Sequence, residues 1–380
     1  MKTLQIELYK SGRLERGVNY KYFVPEFINR QWQWNDPLLN TLLEKASISL
    51  GELNSFAHLV PNIDMFIQLH VTKEAVVSSS IEGTQTNIGE ALMQEDEISP
   101  QRRDDWLEVH NYLNAMKNAI IELEHLPLSS RLLCKTHELL LSGVRGKHKM
   151  PGEFRRSQNW IGGVSLDDAA FIPPAHTYID ELMGDLEKFL HNDNIYVPAL
   201  IRVGIAHYQF ETIHPFLDGN GRIGRLLITL YLVSKGILYQ PLLYLSAFFE
   251  KRKDLYFDNL TRVREKNDLL HWLKYFLVGV DETAKCSSST LSAILNLRGQ
   301  LEKTLSNIAG RRTDTALILL MYLFEKPIIR IKQVEEICGL STKAANYLVN
   351  LFQQNGILKE ISGQVRYRIF CFDPYLKLFD

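Results

Sequence analysis

The sequence is poor in cysteine, nearly neutral in charge and without long apolar runs. Its formal net charge of −1 gives no overall electrostatic sign of a nucleic-acid or membrane partner. No apolar run is long enough to span a bilayer, and Met1–Glu7 lacks the apolar region of a secretory signal. The four cysteines are far apart and form no metal-binding or redox spacing: Cys134, Cys286, Cys338 and Cys371. We therefore expect reduced thiols in a cytoplasmic protein.

Length and helical periodicity are what the chain does have. Its 380 residues are long for a single core and predict two or three domains. Apolar residues recur at a spacing of three to four through most of the chain, which predicts a mainly α fold. The first 35 residues are aromatic without a clear period, and we expect an irregular arm there. His110, His137 and His207 stand among apolar helix positions, and we expect satisfied core or surface histidines rather than metal ligands.

The most informative stretch runs from His214 to Arg225 and reads HPFLDGNGRIGR. It lies between two apolar segments with helical periodicity, residues 199–213 and 226–233. Pro215 disfavours the right-handed α conformation at His214, so the first helix should end there. A histidine at this point supplies a base whose ordinary pKa lies near neutral pH.

The second half of this stretch predicts an anion site. Gly219–Gly221 can adopt backbone conformations with positive φ, which would turn their N–H groups inward at the start of the second helix. Arg222 and Arg225 are three residues apart and add two cations on one helix face. Asp218 adds a hard oxygen ligand. A base, an oxygen ligand, an anion cradle and two arginines are the equipment of phosphoryl or nucleotidyl transfer.

This string resembles the Fic family signature, His-Pro-Phe-x-(Asp/Glu)-Gly-Asn-Gly-Arg-x-x-Arg, at every defined position. Fic proteins typically move AMP from ATP onto a hydroxyl side chain of a target protein, or of themselves, with release of pyrophosphate. The resemblance implies that His214 is the catalytic base and that Asp218 holds Mg²⁺ against the phosphates. It implies that the following residues bind the nucleotide: Phe216, Leu217, Asp218, Gly219, Asn220, Gly221, Arg222 and Arg225.

A second site lies at the end of a helix predicted from about Ile63 to Glu82. A carboxylate in the last turn opposes the helix dipole and gains most from a nearby cation. The segment Ser78–Gly83 resembles the family's inhibitory motif, (Ser/Thr)-x-x-x-Glu-(Gly/Asn), formed here by Ser78, Glu82 and Gly83. The resemblance implies that Glu82 pairs with Arg225 and occupies the space that the γ-phosphate of ATP needs. A contact between these two side chains is therefore expected.

Residues 156–172 predict a short β-hairpin with a turn at paired glycines. The stretch resembles the family's flap, which aligns the target's hydroxyl segment by backbone pairing. On that resemblance the flap docks the target and contributes nucleotide contacts at Ile161, Gly162, Gly163 and Val164. Tyr256 is carried over as a further nucleotide contact.

The resemblance, with the periodicity, predicts four regions: residues 1–100 as an N-terminal arm and inhibitory helical region, 101–280 as the Fic catalytic core, 281–310 as a linker helix, and 311–380 as a winged helix-turn-helix domain. The last region carries ten Lys and Arg against seven Asp and Glu, about +3, which is weak for a DNA reader. Its third helix offers Lys343, Asn346 and Asn350 but no arginine to read guanine. DNA binding and protein docking, including homodimer formation, both stay open.

Two other functions stay open beside autoinhibited adenylyl transfer from ATP with Mg²⁺. One is a DNA-binding regulator in which the core only senses a nucleotide. The other is removal of AMP from modified proteins, in which Glu82 positions a water molecule instead of blocking ATP.

Overall fold

The computed structural model describes residues 3–59, 63–364 and 366–379, and the fold is mainly α, as predicted. The interruption expected at Pro61 and Asn62 lies outside these residues. No helix within these ranges is long and apolar enough to cross a bilayer.

The N-terminal arm contains short strands where the sequence predicted irregular structure. Strand β1 (Thr3–Gln5) pairs in parallel with β4 (Gln31–Gln33), and β2 (Gly12–Arg16) pairs antiparallel with β3 (Lys21–Pro25). Each strand has only three to five residues, too few for an alternating pattern to stand out. Trp32 is buried against Tyr9 within the arm, with ring centroids 5.1 Å apart. The Ile28 N–H donates to the Asp185 carboxylate at 2.6 Å and so fastens the arm to the helical body.

Helices of the central body follow, and their bounds are α1 Pro37–Leu59, α2 Ile63–Ile81, α3 Ile88–Ala91, α4 Arg103–Glu122, α5 Ser130–Leu140, α6 Ile179–His191, α7 Ala199–Ile213, α8 Asn220–Ser234, α9 Ser246–Lys251, α10 Lys253–Lys266 and α11 Leu269–Ile308. Helix α1 begins as predicted, because the Asp36 carboxylate accepts the Leu39 N–H at 2.7 Å. Helix α7 is the centre of the core, since thirteen consecutive positions after Leu200 are buried along with it. The loop that begins at His214, residues 214–219 and called the active loop below, therefore emerges from a helix that is buried along nearly its whole length.

Three predicted helices have different bounds. The segment 88–128 forms the short α3 and, after two 3₁₀ turns, α4. The run 245–263 is divided into α9 and α10 at Arg252, whose backbone is not helical. Residues 269–280 and the predicted linker 281–310 form one continuous helix, α11, because its buried positions continue past the proposed boundary to Leu305.

The C-terminal region consists of short helices and a small sheet, and its identification as a winged helix-turn-helix stays a prediction. It contains α12 (Thr313–Glu325), β5 (Ile328–Arg330), α13 (Ile331–Cys338), α14 (Thr342–Gln354), β6 (Lys359–Glu360), β7 (Ile369–Cys371) and α15 (Asp373–Leu376). The strands form an antiparallel sheet in the order β5-β7-β6. Strand β5 and helix α15 were not predicted. This region packs on α2, where the Lys73 ammonium donates to the Phe379 carbonyl and the His70 and Phe379 rings lie 4.9 Å apart.

Candidate active site

His214 occupies a left-handed conformation at the end of α7, with φ 51° and ψ 60°. Its N–H still donates to the Phe210 carbonyl at 2.9 Å, so it caps the helix while its side chain leaves the helical path. Its Nδ1 atom lies 3.4 Å from the Glu211 carbonyl oxygen. Because a carbonyl only accepts, Nδ1 carries the proton, and Nε2 is left as the proton acceptor.

The half-buried imidazole of His214 is neutral at physiological pH. Burial, and next the Arg155 guanidinium, lower the pKa of His214 to about 4. Glu82 and the Glu211 carbonyl act in the opposite direction. A neutral ring is the form that can take a proton from an incoming hydroxyl.

A closed hydrogen-bond pair shapes the loop after His214. The buried Asn220 side chain accepts the Phe216 N–H at 2.8 Å and donates to the Phe216 carbonyl at 2.8 Å. The Phe216 ring stacks on His137, with centroids 3.8 Å apart. His137 accepts the Gly152 N–H at Nδ1 and donates from Nε2 to the Asp218 carbonyl, at 3.0 and 2.9 Å. The prediction that His137 is a satisfied core histidine is confirmed.

Of the three loop residues expected to adopt positive φ, only Gly219 does so, with φ 74°. It lies at the N-cap of α8, and Asn220 and Gly221 already belong to that helix. The Asp218 carboxylate is 44% exposed and accepts the Gly219 N–H at 2.6 Å. A half-exposed carboxylate at a helix N-terminus fits Mg²⁺ of the kind held mostly by phosphates and water. The described residues contain no cluster of three or more His, Cys, Asp or Glu placed to hold a metal by themselves.

Arg225 is buried and hydrogen-bonded to the segment Ser78–Gly83. Its Nε donates to Ser78 Oγ at 2.9 Å, and its Nη2 donates to the Ser78 carbonyl at 2.8 Å and to Glu82 Oε1 at 2.7 Å. The expected contact between Glu82 and Arg225 is therefore present. Although burial opposes both charges, Arg225 lowers the pKa of Glu82 and Glu82 raises that of Arg225. The pair is ionised.

Glu82 also lies directly against the start of α8. A Cβ atom added at Gly221 would overlap Glu82 Oε1, so only glycine leaves room for this carboxylate. Gly83, which follows Glu82, has φ 107° and lets the chain turn away from α2. The carboxylate therefore sits at the helix N-terminus where the sequence predicts a phosphate.

Arg222 is held by a different partner. Its buried guanidinium lies 3.2 Å from Glu108 in α4 and 3.7 Å from Asp218. Glu108 was not predicted as a site residue. Its position in a helix 114 residues earlier in the chain leaves no local signal.

The structure does not support Tyr256 as a nucleotide contact. Tyr256 is buried, and its hydroxyl lies 2.9 Å from His207 Nε2. His207 Nδ1 lies 2.8 Å from the Gly224 carbonyl and must donate to it, so Nε2 accepts a hydrogen bond from the Tyr256 hydroxyl. The pair of Tyr256 and His207 is thus bonded to the backbone of α8 at Gly224. This agrees with the expectation that His207 is a core histidine.

The flap is less regular than the predicted hairpin. Within residues 156–172, all of them described, only Ile161 and Phe171 pair, with N–H to carbonyl distances of 2.9 and 3.1 Å, and residues 162–170 form a loop. The paired glycines do not make a two-residue turn, because the Asp168 carboxylate binds the N–H groups of Val164 and Ser165 and closes a wider turn. Ile161 belongs to the pair, and Gly162, Gly163 and Val164 lie on the loop. The flap joins the active loop through its stem, residues 155–160 and 172–174.

Two stem residues that sequence reasoning missed make that connection. Asn159 Nδ2 donates to the carbonyls of His214 and Phe216, at 3.3 and 2.9 Å. Arg155 is fully enclosed and donates to backbone carbonyls, among them that of His214. Arginine is rarely buried, so its position in the sequence gives no indication of this role.

His214, the N-terminus of α8 and two buried arginines lie together on a helical fold, and two family models match this part of the chain. The family model described as Fic/DOC family N-terminal matches residues 40–121, and the one described as Fic/DOC family matches residues 127–232. Residues 40–121 and 127–232 therefore form the two domains of the Fic/DOC family.

Several proteins of known name are similar to this chain. It is 26% identical over 216 residues to protein adenylyltransferase fic-1 of Caenorhabditis briggsae, covering 53% of this chain and 40% of that protein. It is 31% identical over 145 residues to protein adenylyltransferase Fic of Aedes aegypti, covering 38% and 25%. A probable protein adenylyltransferase of Aquifex aeolicus is 27% identical over 176 residues, covering 46% and 52%. The chain thus spans between a quarter and about half the length of these relatives.

A solved structure is similar in fold to most of this chain. The crystal structure of a Fic family protein from Desulfovibrio desulfuricans superposes with a TM-score of 0.54 at 19% identity. That match covers 89% of this chain and 96% of the other. The shared fold therefore extends well beyond the residues matched by the family models.

Proposed function

We propose that this protein is an autoinhibited adenylyltransferase that transfers AMP from ATP to a hydroxyl side chain of a target protein or of itself. The observation that carries the proposal is the 2.7 Å pair between Glu82 and Arg225, set against the N-terminus of α8 beside His214. The similarity to proteins named adenylyltransferases supports the choice of nucleotide. A cytoplasmic location is part of the same proposal.

In the proposed reaction, His214 Nε2 removes the proton from the target hydroxyl. The oxygen then attacks the α-phosphorus of ATP, a new phosphorus–oxygen bond forms, and the bond to the β-phosphate oxygen breaks to release pyrophosphate. The α8 N-terminus at Gly219–Gly221 and the arginines stabilise the charge on the phosphates. Asp218 would hold Mg²⁺, which neutralises phosphate charge when bound.

Inhibition follows from competition for one guanidinium. Arg225 is only 2% exposed and is fixed by Ser78, whereas the Glu82 side chain is 38% exposed at the end of α2. Glu82 is therefore the movable partner. While it stays paired, the terminal phosphates of ATP lack their cation, and the α-phosphate is not aligned for in-line attack.

Target recognition is assigned to the flap, residues 156–172. The flap has one backbone pair, Ile161 with Phe171, and Asp168 binds the N–H groups of Val164 and Ser165. An extended target segment can add to the flap edge through its other backbone groups. Backbone pairing of this kind holds a hydroxyl residue in place with little demand on neighbouring side chains.

The test uses purified protein, Mg²⁺ and α-labelled ATP with wild type, Glu82→Gly, and Glu82→Gly combined with His214→Ala. Strong labelling is expected only in the single variant, because inhibition is released and the base is retained. Glu122→Gly is the matched control, since Glu122 also ends a helix and pairs with a cation, Lys135 at 2.7 Å, away from the loop.

Each arm can contradict a separate part of the proposal. Equal labelling by wild type and Glu82→Gly would rule out inhibition by Glu82. Labelling by the double variant would remove His214 as the base. No labelling by Glu82→Gly while it binds ATP would exclude adenylyl transfer.

A further inference from the structure

Among the described residues, Arg155 is a buried cation without an acidic partner. It is only 2% exposed. Nε donates to the His214 carbonyl at 3.0 Å, and Nη1 donates to the Ser157 carbonyl at 3.0 Å. Nη2 donates to the carbonyls of Pro174 and Ile213, at 2.5 and 3.4 Å. Each of these acceptors is therefore a backbone oxygen.

These acceptors come from two parts of the molecule. Ser157 lies in the chain segment that enters the flap, and Pro174 lies in the segment that leaves it. Ile213 and His214 lie at the end of α7. The last carbonyls of a helix carry the negative end of its dipole, which stabilises a cation there without a carboxylate. Burial lowers the pKa of Arg155 to about 10, so it remains charged at neutral pH.

The connection is reinforced on both sides. The Arg155 N–H donates to the Pro215 carbonyl at 2.9 Å, which ties the stem to the residue after His214. Asn159 adds a second side-chain bond to the His214 carbonyl at 3.3 Å. Two side chains of the flap stem, Arg155 and Asn159, thus donate hydrogen bonds to the backbone of His214.

We propose that Arg155 is a positioning residue that fixes the distance between the flap and the His214 imidazole. This inference rests on the proposed function, since the flap is where the target hydroxyl is held. One guanidinium bonds both stem segments and the His214 backbone, so a shift of the flap moves the base with it. Misplacement of reacting groups by about 1 Å costs roughly 100-fold in rate.

The same contact has an electrostatic consequence that can be measured without transfer. The Arg155 charge lowers the pKa of His214, acting with Arg264 from α10 and against Glu82 from α2. Removing the charge should therefore raise the pKa of His214. Replacing arginine with lysine should preserve most of this effect and lose the multiple carbonyl bonds.

The molecule contains a matched control for this arrangement. Arg202 is also buried, and its three bonds go to the carbonyls of Phe189, Asn192 and Ile195 at 3.1–3.2 Å. It lies in the first turn of α7, at the opposite end from His214. Losing it removes the same kind of bonds without touching the flap or the base.

The experiment places Arg155→Lys, Arg155→Met and Arg202→Lys in the full-length Glu82→Gly chain. It measures labelling kinetics, the Kd for ATP, thermal stability, and the His214 titration by NMR. Arg155→Lys is expected to lower kcat about 100-fold with Kd for ATP within about twofold. Arg202→Lys should lower thermal stability about as much as Arg155→Lys does, and it should leave kcat unchanged. Arg155→Met should raise the pKa of His214.

The outcomes separate the inference from the proposed function. If the Glu82→Gly parent labels nothing, the proposed function fails, and the His214 titration still tests the contact with Arg155. The inference would be overturned if Arg155→Lys had the same kcat as the Glu82→Gly parent. It would also be overturned if Arg202→Lys lost as much kcat as Arg155→Lys. If Arg155→Met does not fold, Arg155→Lys decides the matter.

Discussion

At the scale of single residues, burial and pairing give opposite properties to two carboxylates, one inside α2 and one directly after it. Glu82 stays charged because Arg225 lies 2.7 Å away. Glu74, eight residues earlier, is buried beside two hydroxyls, Tyr112 at 3.0 Å and Ser246 at 2.5 Å. Burial raises the pKa of Glu74 to about 7, although both hydroxyls and Arg225 act in the other direction. Glu74 is therefore a neutral hydrogen-bonding group below that pH.

This difference predicts how Glu74→Gln changes stability with pH. A folded pKa of about 7 lies above the ordinary value of 4.5, so the stabilising effect of the carboxyl group is complete below pH 4.5 and is lost as pH rises through 7. The amide of the variant does not titrate. Thermal unfolding should therefore show the variant gaining about 2 kcal/mol relative to wild type between about pH 5 and pH 8. Glu44→Gln, at an exposed position of α1, is the control. A pH-independent difference for Glu74→Gln would contradict this assignment.

At the scale of elements, the helix pair α7 and α11 supports the active loop. Helix α11 has 40 residues and begins with Asp268 accepting the His271 N–H at 3.1 Å. The buried Trp272 donates to the Gly204 carbonyl in α7 at 2.9 Å, and its ring lies 5.8 Å from that of His207. The indole of Trp272 therefore holds α7 in place at Gly204, ten residues before His214.

We expect Trp272→Ala to lower the free energy of unfolding by about 3–5 kcal/mol, because it empties a large buried site and leaves the Gly204 carbonyl without its donor. Chemical denaturation measures this directly. Tyr196→Ala, at a position 86% exposed, should change stability by no more than about 0.5 kcal/mol. Similar small effects from both substitutions would show that α11 does not stabilise the core in this way.

Helices were the elements that the sequence predicted well, and particular residues show why. The apolar spacing of α7 and α8 and the Asp36–Pro37 start of α1 are local signals, and the structure has these helices. The flap was predicted too regular because Gly162 and Gly163 suggest a tight turn, whereas Asp168 sets a wider one. Arg155 and Glu108 act through partners 59 and 114 residues away, and periodicity carries no information about such contacts.

At the scale of the whole molecule, distant parts of the chain meet at α2 and the residues that follow it. Glu82 reaches Arg225 across 143 residues of sequence, and Lys73 in α2 bonds the carbonyl of Phe379 near the end of the described chain. The predicted boundary at residue 280 falls inside the continuous helix α11, so one helix connects the central body to the C-terminal region. Helix α2 and the residue that follows it therefore contact both α8 and the C-terminal region.

The central claim is that Glu82 competes with the terminal phosphates of ATP for Arg225. The most direct measurement is calorimetric titration of wild type and Glu82→Gly with ATP and with AMP, each in the presence of Mg²⁺. The account predicts that Glu82→Gly binds ATP about tenfold more tightly, about 1.4 kcal/mol, while the affinity for AMP stays within about twofold. An equal change for both nucleotides, or no change for ATP, would contradict it.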